Sequence, residues 1–271
     1  MLTLVATPIG NIADITLRAI DALMRADVLL CEDTRVTKKL LNILETRYNK
    51  IPLNPQQFIP LHSHNEQAFL DNLSPDFFQQ NILYVSDAGM PSVSDPGALL
   101  VEYCIEQNIE YDVLPGANAY LLAYVASGFK DTKTLFIGFL PHKGSQRAVA
   151  LQEALYSGYV TMLYESPRRL IRLLEEINET EPDRELFVAK ELTKKFQTYY
   201  KGSASKIMKD IGAQVRGEWV VVLNAAQSRV SSTISKQEIM ALNLPKKSTA
   251  KLLSKLSGRS VKSCYDELVD L

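Results

Sequence analysis

Short apolar runs that alternate with helical patterns are the feature that most constrains how this chain folds. In the first half of the chain the apolar runs are residues 2–6, 28–31, 82–85 and 111–114. Such runs are typical of strands that are buried on both faces of a parallel sheet. In the segments between them, apolar residues recur every three or four positions: residues 16–24, 37–44, 98–107 and 117–126. This alternation predicts an N-terminal α/β domain, residues 1–138, with a largely parallel sheet.

A change of pattern near Gly138 indicates a second domain. A helix is predicted to end near Tyr156, and residues 168–177 predict another. Strand-like segments become more frequent in this half of the chain: residues 134–137, 159–164, 186–189, 197–201 and 219–224. Strands that follow one another without intervening helices favour a mixed sheet. We therefore predict a second α/β domain over residues 139–226.

Residues 227–271 differ from the rest of the chain in charge. The Ser-rich stretch 228–235 predicts a linker, and three short helices are predicted after it, at residues 236–242, 246–256 and 261–271. Residues 226–263 hold eight lysines and arginines and one acidic residue, although the whole chain has a net charge of −1. This asymmetry predicts a small basic domain of helix-turn-helix type that binds nucleic acid. A solvated helical tail is the alternative.

Composition excludes several classes of protein. The apolar content of 46% allows a full hydrophobic core. The three cysteines, Cys31, Cys104 and Cys264, are far apart and form no CxxC pair, which argues against a zinc site or a disulfide framework. No apolar run approaches the roughly 20 residues that span a bilayer, and no secretory signal is evident, so a cytoplasmic protein without membrane contact is predicted.

Polar and glycine-containing segments follow the predicted strands where a parallel sheet places its ligands. They are Thr-Pro-Ile-Gly-Asn at 7–11, Cys-Glu-Asp-Thr-Arg at 31–35, residues 86–97, and Pro-Gly-Ala-Asn-Ala at 115–119. Because the carboxyl ends of parallel strands share one edge of the sheet, a ligand cleft is predicted there. On shape alone, an ordinary strand-to-helix turn is the favoured explanation of the first segment, and it explains the last segment equally well. An N-cap at Asp33 or Thr34 with a local Glu–Arg pair explains part of the second. Asp87 is a candidate for binding a ribose hydroxyl or a group beside the sulfonium.

A metal site is not predicted. His62 and His64 could face the same way on a strand, but a third histidine is lacking in this stretch. A polar loop that contacts substrate is the favoured interpretation.

Taken in chain order, these segments resemble the tetrapyrrole methylase superfamily, and within it the ribosomal RNA small subunit methyltransferase I family. The resemblance covers nearly the whole chain. Its motifs are TPIGN at 7–11, CEDTR at 31–35, HNE at 64–66, SDAGMP at 86–91, SDPG at 94–97, PG-x-x-A at 115–119, GFLP at 138–141, ESP at 165–167, ELTK at 191–194 and GE at 217–218.

The resemblance implies two α/β domains with S-adenosylmethionine bound in the cleft between them. It implies a homodimer whose substrate is the 16S rRNA of the 30S subunit, methylated on the 2′-oxygen of a cytidine in the decoding region. It also implies that the basic C-terminal helices contact RNA. The residues implied to contact the cofactor are Ile9, Gly10, Asp87, Gly89, Met90, Asn118, Ala119, Tyr164 and Ala189, with a further strand near Trp219.

A ribose hydroxyl is a weak nucleophile and benefits from a base or from cations beside the developing charge. We expect Glu32, Asp33 and Arg35 to form the acceptor side of the cleft, with Lys194 facing them. Either Glu32 or Asp33 would orient or deprotonate the hydroxyl. Arg35 and Lys194 would hold phosphate.

Some positions depart from the family pattern and leave other functions open. The family commonly has Thr-Pro-Gly where this chain has Met90-Pro91-Ser92, and histidine near Arg168 and Arg169. An acidic residue is also common near Gln197, and the loop 46–58 is longer and more polar than usual. A porphyrinoid C-methyltransferase and a non-catalytic RNA-binding assembly factor remain alternatives.

Overall fold

The computed structural model describes residues 1–212, 215–225, 236–242, 244–257 and 259–269. The chain divides into two compact units, Met1–Ala225 and Ala226–Leu271. The predicted linker at 228–235 and the turn predicted at Gly258 lie outside the described residues. The predicted boundary at residue 138 remains a prediction, because the contacts do not divide the first unit.

The first unit begins with a sheet of five strands that are all parallel, in the order β3-β2-β4-β1-β5. The strands are β1 (Leu2–Val5), β2 (Val28–Cys31), β3 (Gln57–Pro60), β4 (Ile82–Val85) and β5 (Tyr111–Leu114). The helices of this part are α1 (Leu17–Arg25), α2 (Thr34–Tyr48), α3 (Glu66–Asp71), α4 (Ala98–Glu106) and α5 (Ala119–Ser127). The predicted parallel α/β sheet is therefore confirmed, and four of its strands lie where apolar runs predicted them.

Three elements of this part differ from the prediction. Helix α3 is not among the predicted helices. Strand β3 lies where the sequence predicts the end of a long loop; it is an edge strand with exposed ends, and its polar and proline residues conceal the pattern of a buried strand. Helix α2 begins at Thr34 instead of Thr37, because the Asp33 carboxylate caps it by accepting a hydrogen bond from the Arg35 N–H at 2.8 Å.

The second sheet is mixed, as predicted, in the order β6-β7-β10-β8-β9. Strands β6 (Thr134–Phe139) and β7 (Val160–Glu165) pair in parallel, and β8 (Leu186–Lys190), β9 (Thr198–Gly202) and β10 (Trp219–Leu223) extend the sheet in antiparallel fashion. Its helices are α6 (Ser145–Tyr156), α7 (Pro167–Thr180) and α8 (Ala204–Ile211). Helix α8 was not predicted.

Apolar side chains cover both faces of each sheet. On the second sheet, Leu163 and Val221 pack with helices α6 to α8 on one face, and Met162 and Val222 pack with α5 on the other. Helix α5 thus follows the first sheet in the chain but buries Ala123 against the second. The carboxyl ends of β1, β4 and β5 therefore border residues of both sheets.

The C-terminal unit contains the three predicted helices, α9 (Lys236–Ala241), α10 (Lys246–Ser257) and α11 (Val261–Val269). They share a small core of Ile239, Ala250, Leu253, Cys264 and Leu268. None of the helices in the described ranges is both long enough and apolar enough to cross a membrane.

Candidate active site

The loops at the carboxyl ends of the first sheet meet loops of the second sheet around a cavity of about 420 Å³. We call it the first cavity. The side chains and backbone that line it come from eight of the ten motifs found in the sequence, with apolar residues predominating. They include Ile9, Gly89, Met90, Ser94, Asp95, Asn118, Ala119, Phe139, Tyr164, Ser166, Leu192, Trp219 and Val220.

The TPIGN segment is tied to the SDAGMP segment through its backbone. The Thr7 N–H donates to the Gly89 carbonyl at 2.9 Å, and the Gly89 N–H donates back to the Thr7 carbonyl at 3.0 Å. Gly89 has φ +89°, in the region that favours glycine, and an added Cβ would lie 3.2 Å from Ile9 Cγ2. These bonds keep Ile9 and Gly89 together at the wall of the cavity.

The same segment packs closely against the ELTK loop. An added Cβ at Gly10 would lie 2.4 Å from Lys194 Cγ and 3.0 Å from the carbonyl oxygen of Leu192. The Asn11 N–H donates to Thr193 Oγ1 at 3.0 Å. Glu191 and Thr193 have φ values of +52° and +63°. Such backbone conformations are costly for residues with a Cβ and are often found at functional sites.

Reciprocal hydrogen bonds cross-link the CEDTR and SDAGMP segments, which follow the adjacent strands β2 and β4. The Asp87 N–H donates to Glu32 Oε2 at 3.2 Å, and the Asp33 N–H donates to Asp87 Oδ1 at 3.0 Å. Glu32 and Asp87 therefore hold the two strand ends in register.

Asp33 is engaged by a cation of its own helix. Arg35 Nη2 lies 2.6 Å from Asp33 Oδ2, and Arg35 Nε donates to both carboxylate oxygens. The hydrogen bonds from the Arg35 side chain and backbone lower the pKa of Asp33 to about 2. A carboxylate held so strongly in its ionised form is a weak proton acceptor.

A second cavity of about 490 Å³ adjoins the first, because Ile9, Ala88 and Glu218 line both. Two lysines line it, Lys39 and Lys194. Lys194 Nζ pairs with Glu218 Oε2 at 2.9 Å and with Glu191 Oε1 at 3.1 Å. Although burial lowers the pKa of Lys194, hydrogen bonds and attraction from these two carboxylates outweigh it and raise the pKa.

The SDPG segment is anchored by the HNE motif. Glu66 is buried, and its Oε1 accepts a hydrogen bond from the Gly97 N–H at 2.9 Å. Burial, followed by repulsion from Glu32, raises the pKa of Asp95 to about 7. Asp95 therefore titrates near neutral pH, unlike Asp33.

The ESP segment is supported by a buried ion-pair network. Glu165, at the end of β7, has a fully buried side chain. Its Oε1 lies 2.8 Å from Arg169 Nε and its Oε2 lies 3.6 Å from Arg147 Nη1. Arg147 is only 2% exposed and also pairs with Glu176 at 2.8 Å. The network fixes the backbone of Glu165 and Ser166 at the wall of the first cavity.

Aromatic rings form one end of the first cavity. Tyr164 packs edge-on against Phe136 and Phe139, with ring centroids 5.0 and 5.6 Å apart. Tyr120 stacks on Phe136 at 4.2 Å. Burial raises the pKa of Tyr164 to about 12, so its hydroxyl is neutral and available for hydrogen bonding.

The predicted cofactor residues fall into three groups. Those that line the first cavity are Ile9, Gly89, Met90, Asn118, Ala119 and Tyr164. Gly10 and Asp87 line the second cavity. Ala189 is fully buried in the core of the second sheet and lines neither cavity. Asn118 Oδ1 accepts a hydrogen bond from the Leu121 N–H, so its side chain also caps α5 at the cavity wall.

Of the predicted acceptor-side residues, Lys194 lines the second cavity. Glu32 and Asp33 line neither of the two cavities but hydrogen-bond to Asp87, which lines the second. The Arg35 side chain is 89% exposed. The catalytic roles assigned to these four residues remain predictions. The sequence interpretation missed Asp95, Lys39 and Phe139, which line the cavities.

Within the described ranges, no group of three histidine, cysteine or acidic side chains is arranged to hold a metal ion. The rings of His62 and His64 lie 6.0 Å apart, edge to face. The Cys31, Cys104 and Cys264 thiols are free and buried.

The sequence and the fold are similar to those of known methyltransferases. Residues 1–208 match the family model for tetrapyrrole (corrin/porphyrin) methylases. The chain is 42% identical over 271 residues to the ribosomal RNA small subunit methyltransferase I of Campylobacter fetus subsp. fetus, covering 99% of this chain and 100% of that protein. It is 42% identical over 278 residues to the protein of the same name from Helicobacter pylori strain J99, covering 98% and 96% of the two chains.

The methyltransferase CobJ has the same fold, with a TM-score of 0.58 at 19% identity, covering 83% of this chain and 94% of CobJ. The observed pair of sheets, one parallel and one mixed, is thus the tetrapyrrole methylase arrangement that the motifs predicted.

Proposed function

This chain belongs to the ribosomal RNA small subunit methyltransferase I family of the tetrapyrrole methylases, and we propose that it methylates the ribose 2′-oxygen of a cytidine in the decoding region of 16S rRNA. Its methyl donor is S-adenosylmethionine, as in the family. The main support for the proposal is that six of the nine predicted cofactor residues line one cavity.

The first cavity suits the donor in size and chemistry. Its volume of about 420 Å³ lies within the roughly 300–1,000 Å³ typical of small-molecule sites. Ile9 and Gly89 would lie along one wall, and Asn118 and Ala119 at the amino end of α5 would lie along another. Tyr164 and Phe139 offer aromatic faces suited to a flat base. The donor supplies a methyl group carried on a positively charged sulfur.

The second cavity is proposed to hold the RNA acceptor. Lys194 and Lys39 line it and would approach phosphate oxygens on either side of the target ribose. Arg35, exposed at the start of α2, would extend this contact. Glu32 and Asp33 would act by holding the Asp87 loop at the boundary between the cavities.

The proposal is tested by incubating the protein with methyl-labelled donor and 30S subunits, free 16S rRNA or a porphyrinoid, in parallel. We expect label in 16S rRNA, and resistance of one decoding-region cytidine to alkaline cleavage, because a 2′-O-methyl group blocks attack on the next phosphate. Label in the porphyrinoid alone would contradict the proposal. Binding of RNA without binding of the donor would favour a non-catalytic assembly factor.

The basic C-terminal helices are proposed to bind rRNA through α10. Lys247, Lys251 and Lys255 recur every four residues on its exposed side, and none forms an ion pair among the described residues. Like charges at this spacing cost a helix about 0.2–0.5 kcal/mol per pair, so the stripe is unfavourable without a partner. In contrast, the Glu267 carboxylate of α11 pairs with both Lys236 and Arg259.

Replacing Lys247, Lys251 and Lys255 together by glutamine is expected to weaken rRNA binding and to reduce the salt dependence. Each lost phosphate contact reduces the magnitude of the slope of log K against log salt by roughly 0.7–0.9, so the slope of the triple variant should be smaller by roughly 2–3. The measurement is a filter-binding titration at several salt concentrations. Lys236→Gln is the matched control, because this lysine already pairs with Glu267, and the slope for this variant should change little. An unchanged slope in the triple variant would show that these three lysines do not contact RNA and serve only to keep the protein soluble.

A homodimer that acts in the cytoplasm, where ribosomal subunits assemble, completes the proposal. Exposed apolar side chains on β5 and α5 support self-association, among them Val113 at 45%, Leu121 at 48% and Val125 at 75% exposure. Light scattering after size-exclusion chromatography measures the oligomeric state. A monomer at micromolar concentration would contradict the proposed homodimer.

A further inference from the structure

Asp95 places a carboxylate where the two cavities approach each other. It lines the first cavity and belongs to the loop after β4, whose first residues, 86–88, line the second cavity. The acceptor hydroxyl of the proposed reaction has to reach this junction, because the methyl group lies on one side of it and the RNA on the other. Asp95 is therefore positioned to contact the reacting oxygen.

The other carboxylates that line the cavities are already engaged. Glu165 pairs with Arg169 at 2.8 Å, Glu218 pairs with Lys194 at 2.9 Å, and Asp87 accepts the Asp33 N–H at 3.0 Å. Within the described part of the chain, Asp95 has neither a cation nor a backbone N–H as a partner. Asp95 thus retains oxygen lone pairs for an incoming proton.

The loop that carries Asp95 is held in a strained conformation. Ser92 and Ser94 have φ values of +66° and +68°, and Gly97 has φ +123°. The buried Glu66 binds the Gly97 N–H, and the Ser92 N–H donates to the Pro96 carbonyl at 3.1 Å. A left-handed serine costs on the order of 1 kcal/mol, and such strain persists where the surrounding structure fixes a functional group.

We propose that Asp95 is a catalytic residue whose carboxylate accepts the proton of the acceptor hydroxyl during methyl transfer; this rests on the proposed function. The acceptor oxygen forms a bond to the methyl carbon, and the carbon–sulfur bond breaks with its electron pair remaining on sulfur. The hydroxyl proton passes to an Asp95 oxygen and then to solvent. Glu32 and Asp33 become positioning residues in this scheme.

The electrostatic surroundings of Asp95 suit this role. Glu32 and Asp87 face it from the ends of β2 and β4, and both raise its pKa, after burial. The Tyr84 and Tyr164 hydroxyls also face it, and both are neutral because burial raises the pKa of each. With a pKa of about 7, Asp95 is a stronger base than a solvated aspartate and is still ionised in a large fraction of molecules at neutral pH.

The test compares Asp95→Asn with the wild type in single-turnover methylation of 30S subunits across pH. We expect the rate to fall roughly 10²- to 10⁴-fold, and the rise of the wild-type rate through pH 7 to disappear, while the donor Kd stays within about threefold. Asp112→Asn is the control, since Asp112 is an exposed carboxylate paired with Arg18 away from the cavities.

A second readout is thermal stability, which does not depend on activity. The folded-state pKa of Asp95 is raised, so the native protein binds this proton more tightly than the unfolded chain, and wild-type stability falls as pH rises from about 4 through 7. Asp95→Asn should therefore match or exceed the wild-type Tm above pH 7. A lower Tm with weakened donor binding would assign Asp95 a structural role and overturn the proposal.

Failure of the role proposed for Asp95 can be distinguished from failure of the proposed function. If the wild type labels 16S rRNA and Asp95→Asn does so at a similar rate, only the role of Asp95 is refuted. If the wild type labels no RNA, the proposed function fails, and with it the assignment of Asp95.

Discussion

Gly10→Ala is expected to weaken binding of S-adenosylmethionine by roughly 10- to 100-fold, because forcing an extra atom into a closely packed contact costs about 1–3 kcal/mol. Gly10 is not among the residues with positive φ, so alanine is compatible with its backbone. The effect is steric, because the new Cβ would lie 2.4 Å from Lys194 Cγ and 3.0 Å from the Leu192 carbonyl oxygen. Ordinary contacts require about 3.5–4.0 Å. The loops that carry Ile9 and Leu192 at the cavity wall must therefore separate.

Calorimetric titration of the purified protein with the donor measures this effect. Gly144→Ala is the matched control, because nothing lies within 4 Å of an added Cβ there. Adding Lys194→Ala to Gly10→Ala removes the nearest clash and should restore part of the affinity. A donor Kd within threefold of wild type in Gly10→Ala would show that the two loops do not need to touch.

The sequence predicted the parallel sheet well because its central strands are buried on both faces. Strands β1, β2 and β4 consist almost entirely of apolar residues. Runs this short and this apolar are typical of strands buried in a parallel sheet. Strand β3 lacks this signal, since it lies at the edge and pairs only with β2. Edge strands tolerate proline and polar residues, so Gln57 and Pro60 conceal it.

The residues that line the site could also be predicted from the sequence. Which of its carboxylates are paired with cations could not. Motifs at the ends of β1, β4 and β5 placed Ile9, Gly89 and Asn118 in one cleft. Sequence spacing does not reveal that Arg35 folds back onto Asp33, or that no cation among the described residues pairs with Asp95. Both depend on side-chain directions and on which strands are neighbours. The sequence therefore suggested Glu32 and Asp33 as candidate bases and did not point to Asp95, which we propose for that role.

Arg147→Met, in helix α6, is expected to destabilise the protein by about 3–5 kcal/mol, the range measured when one partner of a buried ion pair is removed. The variant would leave Glu165, whose side chain is fully buried, with Arg169 as its remaining cation. It would also remove the bonds from Arg147 to Glu176 and to the Pro141 carbonyl. In a domain of this size the Tm should fall by roughly 10 °C.

Arg172→Met provides the matched control for this substitution. Arg172 pairs with the same Glu176 at 2.9 Å, but its side chain is 52% exposed. Solvent screens such a pair, so its loss should cost about 1 kcal/mol or less. A similar fall in Tm for both variants would mean that burial does not distinguish the two arginines.

A double-substitution cycle separates the buried charge from the packing of Arg147. Glu165→Gln combined with Arg147→Met removes both charges of the pair in which both side chains are buried, while keeping similar side-chain volumes. The double variant should therefore recover part of the stability that Arg147→Met loses. Because Glu165 and Ser166 line the first cavity, Arg147→Met should also raise the donor Kd, and the double variant should restore it less completely than the Tm. If the two substitutions add without interaction, Arg147 stabilises the fold through Glu176 and Pro141, and the ESP loop owes its position to Arg169 alone.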